Sequence, residues 1–185
     1  NFRQDTRRRR KKIEAGGGEF RLTTSATLDR DVAEFLRLHR RRHPDPGETV
    51  LDGENVDSML VEVGAALLPS ERFRLYNLEL DGRTVAAHLV LVAGSRALAW
   101  NSGFDDAYRS YAPPIQCLVQ SLYDSAEHGE RMIDLGEGDQ HYKQRMATGE
   151  EARCERLMIP PGRAQRLDLL RLRASELRHR LGSAG

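Results

Sequence analysis

The chain has 185 residues, enough for one domain with a proper core, and its 29 Lys and Arg nearly balance its 28 Asp and Glu. This balance excludes the class of uniformly basic nucleic-acid-binding domains. No apolar run approaches the length of a membrane span and no signal peptide is visible, so we expect a cytoplasmic protein without a transmembrane segment. The first residue is Asn rather than Met, as expected of a fragment. Cys117 and Cys154 are far apart and are expected to be reduced thiols.

The first eighteen residues are predicted to form a basic connector helix. The run from Arg7 to Lys12 consists of six consecutive cations, and the triplet at 16–18 is all glycine, which ends a helix. Two interpretations stay open. The cations either contact a phosphate-rich partner, such as nucleic acid, an anionic membrane surface or a nucleotide-bearing substrate, or they solvate a connecting segment.

Hydrophobic periodicity over residues 19–162 predicts an α/β fold with a mixed sheet, in an α+β arrangement. An antiparallel meander is followed by a strand-helix-strand unit that returns a strand parallel to the last strand of the meander. The pair Asp81-Gly82 is a strong hairpin signal. The elements expected in chain order are a strand at 19–24, helices at 28–43 and 53–68, strands at 72–80, 84–93 and 97–103, a helix at 115–128, strands at 131–135 and 151–160, and a terminal helix at 163–181.

Details inside these elements carry further expectations. Thr27 is placed to cap the helix at 28–43, and Met59 and Val63 are expected on the inward face of the helix at 53–68. Pro113 or Pro114 suits the first turn of the helix that follows. The terminal helix at 163–185 has an apolar stripe that would pack on this domain or on a missing partner.

Three histidines are weighed against functional roles. His88 lies alone inside the strand at 84–93, where a satisfied core histidine is favoured over a catalytic base. His39 and His43 are close in sequence but lack carboxylates at a metal-binding spacing, so no metal is expected. The cations between them suit the dipole of a helix C-terminus.

The segment from Ile133 to Met146 has the densest group of reactive side chains. A buried strand is expected to end at Asp134, and a loop loosened by two glycines then carries Glu137. Asp139 is placed to N-cap a short helix that carries Tyr142, Lys143 and Arg145. A strand end that brings several carboxylates and a lysine into one loop is a common active-site arrangement. The structural alternative is a capped helix after a solvated, charged loop.

These residues resemble a known family. The segment WNSGFDDAY at 100–108, a Pro-led helix that ends in Gly, and MIDLGEGDQHYKQRM at 132–146 resemble the C-terminal half of the CelD/BioF2-like acetyltransferase family, within the GNAT superfamily. The Fem peptidoglycan aminoacyltransferases are similar, more distant relatives. The resemblance is specific from about residue 80 to residue 147. The matching positions are Gly103, Phe104, Asp105, Tyr108, Pro113, Asp134, Gly136, Gly138, Asp139, Tyr142 and Lys143.

The resemblance implies a GNAT-like acyltransferase fold over residues 19–162. It implies transfer of an acyl group from acetyl-CoA or another acyl-CoA to an amine or hydroxyl of a small-molecule, saccharide or peptide acceptor, in polysaccharide or cell-envelope metabolism and without a metal. Members usually carry two GNAT-like halves, which implies an N-terminal half before this one. A Fem-like enzyme would instead use aminoacyl-tRNA, the one nucleic acid that remains expected.

The same resemblance assigns roles to the reactive segment. Asp134, Glu137 or Asp139 would accept the proton of the attacking amine, directly or through water. Lys143 would hold the oxyanion or a donor phosphate. The pair of Tyr142 with Lys143 matches the aromatic-lysine pair that handles the donor in Fem-type enzymes.

The resemblance also implies a CoA site at the start of the helix after the central strand. In the GNAT fold, backbone N–H groups and the helix dipole bind the pyrophosphate there. The corresponding residues are Arg109, Ser110, Tyr111 and Ala112. The leading Arg of the family loop is kept, whereas Ala112 and Pro114 stand where the pattern has glycines, and prolines donate no N–H. This departure favours a third alternative, a GNAT-shaped binding domain without catalysis, while the intact segment at 134–143 favours an enzyme.

Overall fold

A five-stranded mixed sheet organises the part of the chain that the computed structural model describes, namely residues 1–45, 49–138 and 140–148. The strands and helices of this part are β1 Glu19–Leu22, β2 Phe73–Leu80, β3 Arg83–Ala93, β4 Arg96–Phe104 and β5 Met132–Asp134, with α1 Phe2–Ala15, α2 Leu28–Arg42, α3 Val56–Leu67, α4 Pro113–Glu127 and α5 His141–Met146. The strand predicted at 151–160, the helix predicted at 163–181, Cys154 and Asp139 lie outside the described residues.

The strand order is β1-β2-β3-β4-β5, with antiparallel pairing up to β4 and a parallel β4–β5 pair. Helix α4 connects these last two strands, as a parallel neighbour requires. The predicted mixed sheet is confirmed, and so is the predicted place of the strand at 131–135, parallel to the last strand of the meander. Asp81 and Gly82 both have positive φ, 52° and 70°, which is the backbone of a two-residue hairpin with the twist of its strands.

Helices cover both faces of the sheet. On one face, α2 and α3 pack Phe35 and Leu60 against Leu75 and Leu89. On the other face, α1 and α4 bury Ile13 and Cys117 against residues of β2, β3 and β4. Burial raises the pKa of the Cys117 thiol to about 12, so this thiol stays protonated. No helix among the described residues is long and apolar enough to cross a membrane.

The second predicted helix differs from the observed one in its bounds and in one inward residue. Helix α3 begins at Val56, after a short 3₁₀ turn at Val50–Asp52, and a second 3₁₀ turn follows it at Leu68–Ser70. Met59 was expected to face inward but is 44% exposed. Gly64 is buried on the inner face instead, where an added Cβ would lie 2.6 Å from the side chain of Leu28 on α2. A helical glycine in this position lets α3 approach α2 closely.

Thr27 occupies the N-cap position of α2, but its side chain does not cap the helix. Its hydroxyl instead donates to the buried carboxylate of Asp31 at 2.7 Å. Arg21 donates to both oxygens of that carboxylate, at 2.7 and 3.0 Å. Burial disfavours the charge of Asp31, but these hydrogen bonds outweigh it and lower the pKa of the carboxyl group. The hydroxyl therefore serves a buried ionic network rather than the helix end.

His88 is a core residue, as predicted, but it is not a satisfied one. It is 5% exposed, and neither ring nitrogen has a hydrogen-bond partner in the described part of the chain. Burial lowers the pKa of His88 to about 4, although the backbone of Asn101 favours the charged form. The imidazole is therefore neutral at physiological pH. Among the described residues, no hydrogen-bond partner supports His88 as a catalytic base.

A buried ion pair joins the start of β2 to the segment that follows α4. The guanidinium of Arg74, on β2, donates two hydrogen bonds to Glu130, at 2.6 and 3.1 Å. Their side chains are 6% and 5% exposed. Removing one partner of such a pair leaves the other charge buried without compensation.

We therefore predict that Glu130→Ala lowers the free energy of unfolding by about 3–5 kcal/mol, measured by urea denaturation. The matched control is Asp57→Ala, which removes the partner of Arg40 in an ion pair of 2.7 Å with 43% and 58% exposed side chains. That change should cost less than about 1 kcal/mol. Equal losses in the two variants would contradict a stabilising role of the buried ion pair between Arg74 and Glu130.

Candidate active site

Strands β4 and β5 part after a short parallel segment. They pair at three positions, from Arg96 with Met132 to Leu98 with Asp134. Strand β4 then continues to Phe104 with no strand beside it on this side among the residues described. We call this stretch, residues 99–104, the open edge of β4.

A bulge marks the start of the open edge. Leu89 of β3 pairs with Asn101, whereas Val90 pairs with Ala99, so β4 carries one extra residue, Trp100. A bulge bends its strand and increases the local twist. Beside it lies the loop after β5, since a Cβ on Gly136 would be 3.6 Å from the carbonyl oxygen of Ala99. The loop therefore borders the open edge.

Helix α2 lies directly on the end of β4. A Cβ on Gly103 would be 2.5 Å from the backbone nitrogen of His39 and 2.7 Å from the carbonyl carbon of Leu38. Only glycine permits this contact, because the obstructing atoms are backbone atoms that cannot rotate away. The imidazole of His39 also joins α2 to β4 through Nδ1, 3.0 Å from the carbonyl oxygen of Ser102.

The last turn of α2 consequently brings two arginines to the open edge. Arg41 donates to Asp105 at 3.1 Å, just beyond β4. The guanidinium carbon of Arg42 lies 4.5 Å from the ring centroid of Phe104. The cations after His39, which the sequence explained by the helix dipole, thus reach the end of β4 as well. Sequence reasoning missed this placement, because it depends on the close approach at Gly103.

The side chains of the reactive segment fold its own loop. Asp134 Oδ1 accepts a hydrogen bond of 2.8 Å from the backbone N–H of Gly136. The Lys143 ammonium donates to the carbonyl oxygen of Gly136 at 3.3 Å and to that of Glu137. Burial lowers the pKa of Lys143, and the nearby carboxylates of Asp134 and Glu137 oppose the shift. Lys143 is thus half-buried and has a defined structural role, which the sequence did not reveal.

Tyr142 lies beside this loop on α5. The residue is half-buried, and burial raises the pKa of its phenol although the positive charge of Arg42 opposes the shift. The hydroxyl therefore stays protonated at neutral pH and can donate a hydrogen bond. The structure brings Lys143 of α5 to the loop that carries Asp134 and Glu137, with Tyr142 of α5 next to them.

The predicted CoA-binding residues lie at the start of α4. They belong to a 3₁₀ turn, Asp106–Tyr111, and Ala112 follows with a φ of 50°. The N–H of Ala112 donates to the carbonyl oxygen of Arg109 at 2.9 Å. Pro113 and Pro114 form the first helical turn, as predicted, and contribute no N–H. This helix N-terminus is therefore poor in the backbone donors that usually bind phosphate.

Both ring nitrogens of His39 have defined contacts, which the sequence did not indicate. The second nitrogen, Nε2, lies 3.0 Å from the hydroxyl oxygen of Thr49. Burial lowers the pKa of His39. If Nδ1 donates to the Ser102 carbonyl, then Nε2 accepts from Thr49. In the described ranges, no group of three or more His, Cys, Asp or Glu side chains is arranged to hold a metal ion.

Comparisons with known proteins agree with this architecture. Among solved structures, a predicted acetyltransferase from Clostridium acetobutylicum with acetyl-CoA has a TM-score of 0.62 and 11% identity, over 77% of this chain and 96% of that one. The aminoglycoside acetyltransferase meta-AAC0020, from an uncultured soil metagenomic sample and in complex with trehalose, has a TM-score of 0.59 and 13% identity, over 80% and 99%. The aminoglycoside N-acetyltransferase AAC(6′)-Iy in complex with CoA has a TM-score of 0.54 and 12% identity, over 79% and 95%.

These identities establish a shared fold and no more. The search of curated proteins gives no match. The profile of the acetyltransferase (GNAT) domain family, however, matches residues 1–144, most of the chain. That range includes every strand of the sheet, the open edge and the reactive loop up to Lys143. The chain therefore belongs to the GNAT family of acetyltransferase domains, enzymes of acyl transfer.

Proposed function

We propose that this domain transfers an acetyl or other acyl group from acyl-CoA to a primary amine of a small acceptor. The observation that carries the proposal is the open edge of β4, bordered by the reactive loop. The pantetheine arm of CoA contains two amides, which can pair with a strand edge as an extended peptide does. Two of the similar structures contain acetyl-CoA or CoA, which supports this choice of donor.

The reaction needs few groups. The amine nitrogen attacks the thioester carbonyl carbon, so that an N–C bond forms and the carbonyl oxygen becomes an oxyanion. The C–S bond then breaks and releases the thiolate of CoA. One proton must leave the amine and one must reach the thiolate, while a positive charge or a hydrogen-bond donor stabilises the oxyanion.

Asp134 is our candidate for the group that accepts the amine proton. It stands at the end of β5, where β4 and β5 part. One carboxylate oxygen, Oδ1, is used by the Gly136 N–H, whereas Oδ2 makes no hydrogen bond among the described residues. Glu137 and Asp139 stay as alternatives within the same loop, with Asp139 outside the described residues.

Tyr142 and Lys143 are assigned to the donor side. A phenol kept protonated by burial can give its proton to the leaving thiolate. The Lys143 ammonium donates two of its three N–H groups to loop carbonyls. Its third N–H can reach the oxyanion or a donor phosphate. This arrangement orders the loop and supplies charge with a single side chain.

The acceptor is proposed by chemical class. One similar enzyme is in complex with sisomicin, an aminoglycoside, and the same enzyme is also in complex with trehalose. These complexes support an amine-bearing saccharide as acceptor for this domain. The finer resemblance to CelD/BioF2-like proteins adds a role in polysaccharide or cell-envelope metabolism and an N-terminal GNAT-like half, while a Fem-like donor and a non-catalytic domain are alternatives.

Thermal shift and turnover with a panel of acyl-CoAs test the proposal on the full chain. A donor at a hundredfold excess over its dissociation constant should stabilise the fold by about 2.7 kcal/mol, seen as a raised melting temperature. Acetylation of an aminoglycoside amine should then release free CoA thiol. Stabilisation without turnover on any amine or aminosugar would favour the binding domain, and stabilisation by aminoacyl-tRNA alone would favour a Fem-like enzyme.

For Tyr142→Phe, we predict a fall in kcat of about tenfold to a hundredfold, because the phenol proton is lost while the ring remains. The melting temperature should change little, since the half-buried ring still fills its site. Steady-state kinetics with acetyl-CoA measure the effect. Wild-type kcat in this variant would exclude the hydroxyl from thiolate protonation.

Lys143 has both a structural and a chemical role in this proposal, and two variants separate them. Lys143→Met loses the charge and the loop hydrogen bonds, whereas Lys143→Gln keeps an N–H donor for the carbonyls. We predict that kcat falls about a hundredfold in both variants if the charge stabilises the transition state. An active Lys143→Gln enzyme beside an inactive Lys143→Met enzyme would show that Lys143 only orders the loop.

A further inference from the structure

Helix α1 carries a charge that neither the fold nor the proposed chemistry explains. Its residues 1–15 contain seven Lys and Arg but only two carboxylates, whereas the whole chain has a net charge of +1. Like charges concentrated on one helix repel one another, so this arrangement favours a bound polyanion.

The structure places α1 against the start of α4. The guanidinium of Arg9 donates to the carbonyl oxygen of Ser110 at 3.1 Å, and the Gln116 amide donates to the carbonyl oxygen of Thr6 at 3.1 Å. The ammonium of Lys12 lies 4.7 Å from the ring centroid of Tyr111. The cations of α1 thus stand beside the predicted CoA-binding residues.

The other end of α1 lies near α5. The ring of Phe2 is 6.0 Å from the guanidinium of Arg145, on the helix that carries Tyr142 and Lys143. Helix α1 therefore extends from the reactive segment to the start of α4. Helix α1 thus contacts both elements on which the candidate site residues of the donor side lie.

Three exposed cations lie on α1 and on the 3₁₀ turn before α4, and we call them the phosphate surface: Arg8 and Lys12 of α1, and Arg109 of the turn. Arg8 and Lys12 are one helical turn apart and share a face. Arg8 pairs with Asp5, and Arg109 with Asp106, but these pairs are solvent-exposed, with arginine side chains 78% and 75% exposed. Exposed pairs contribute little, so a phosphate can displace them.

We propose that the phosphate surface binds the 3′-phosphorylated adenosine diphosphate of acyl-CoA, in place of the backbone N–H groups that Pro113 and Pro114 remove. This inference rests on the proposed function, because it names the element that holds the same donor. Side-chain cations on a packed helix replace a glycine-rich loop as the source of positive charge. The small size of the surface fits one nucleotide with its phosphates better than a length of nucleic acid.

The test compares two double variants of the full chain that remove the same charge from the same helix. Arg8→Gln with Lys12→Gln alters the phosphate surface. Arg7→Gln with Lys11→Gln is the matched control, since both residues are exposed and lie about 100° around the helix axis from Arg8 and Lys12. The two substrates are acetyl-CoA and acetyl-pantetheine, which has the same thioester and no nucleotide.

We expect the phosphate-surface variant to raise KM for acetyl-CoA about tenfold, with kcat unchanged, because charge-assisted contacts to the phosphates are lost. KM for acetyl-pantetheine should not change, and the control should behave as wild type. Salt should raise the wild-type KM for acetyl-CoA more steeply than that of the variant. A merely structural role of α1 would instead alter both substrates alike.

Three outcomes would overturn the inference: equal effects of the two double variants, an equal rise of KM for acetyl-pantetheine, or weakened binding of RNA or anionic vesicles with unchanged CoA kinetics. If the wild type transfers from no acyl-CoA, the proposed function fails by itself. Calorimetric binding of CoA to the three proteins then decides the inference. Weaker CoA binding by the phosphate-surface variant alone supports it, and no difference overturns it.

Discussion

The close contact between α2 and β4 at Gly103 is the constraint on which the proposed site depends. A side chain there would meet the backbone of α2 at 2.5 Å, so the helix can lie on the strand only because the residue is glycine. The last turn of α2 then ends beside the end of β4, where Arg42 stacks on Phe104. The positive charge of Arg42 also opposes the rise in the pKa of Tyr142. A larger residue would move the cations of α2 away from the end of β4, whatever the sequence of α2.

The second determinant is the parting of β4 and β5. Parallel pairing stops at Leu98 with Asp134, and the bulge at Trp100 twists the remainder of β4. Among the described residues this freed edge has no strand beside it, and a ligand with amides can pair with its backbone groups. The loop that borders it is ordered by its own members, since Lys143 and Asp134 bond to the backbone of residues 136–137. Rigidity of this kind is useful for a site that must orient two substrates.

Positive charge and backbone donors are distributed in an unusual way around α4. Its first turn has two prolines, so the helix offers few N–H groups, while α1 brings a concentrated positive charge alongside it. The two features compensate for each other if the ligand is a phosphate, because side-chain cations and backbone N–H groups both stabilise anions. Neither feature alone distinguishes a binding site from a solvated surface. Their proximity, through Arg9 and Ser110, is what connects them.

The sequence by itself determined the strands and helices up to residue 146, the hairpin at Asp81-Gly82, the parallel return of β5 and the GNAT family. These follow from local periodicity, turn chemistry and short motifs, which are visible within a few residues. It did not determine that Met59 faces solvent, that the Thr27 hydroxyl donates to Asp31, or that His88 has no hydrogen-bond partner among the described residues. Each of these depends on what a distant element places beside the residue. Tertiary structure alone decided the rest of the site. It set α1 against residue 110 and the end of α2 beside the end of β4, because contacts between residues so far apart in sequence form only when the sheet brings their elements together.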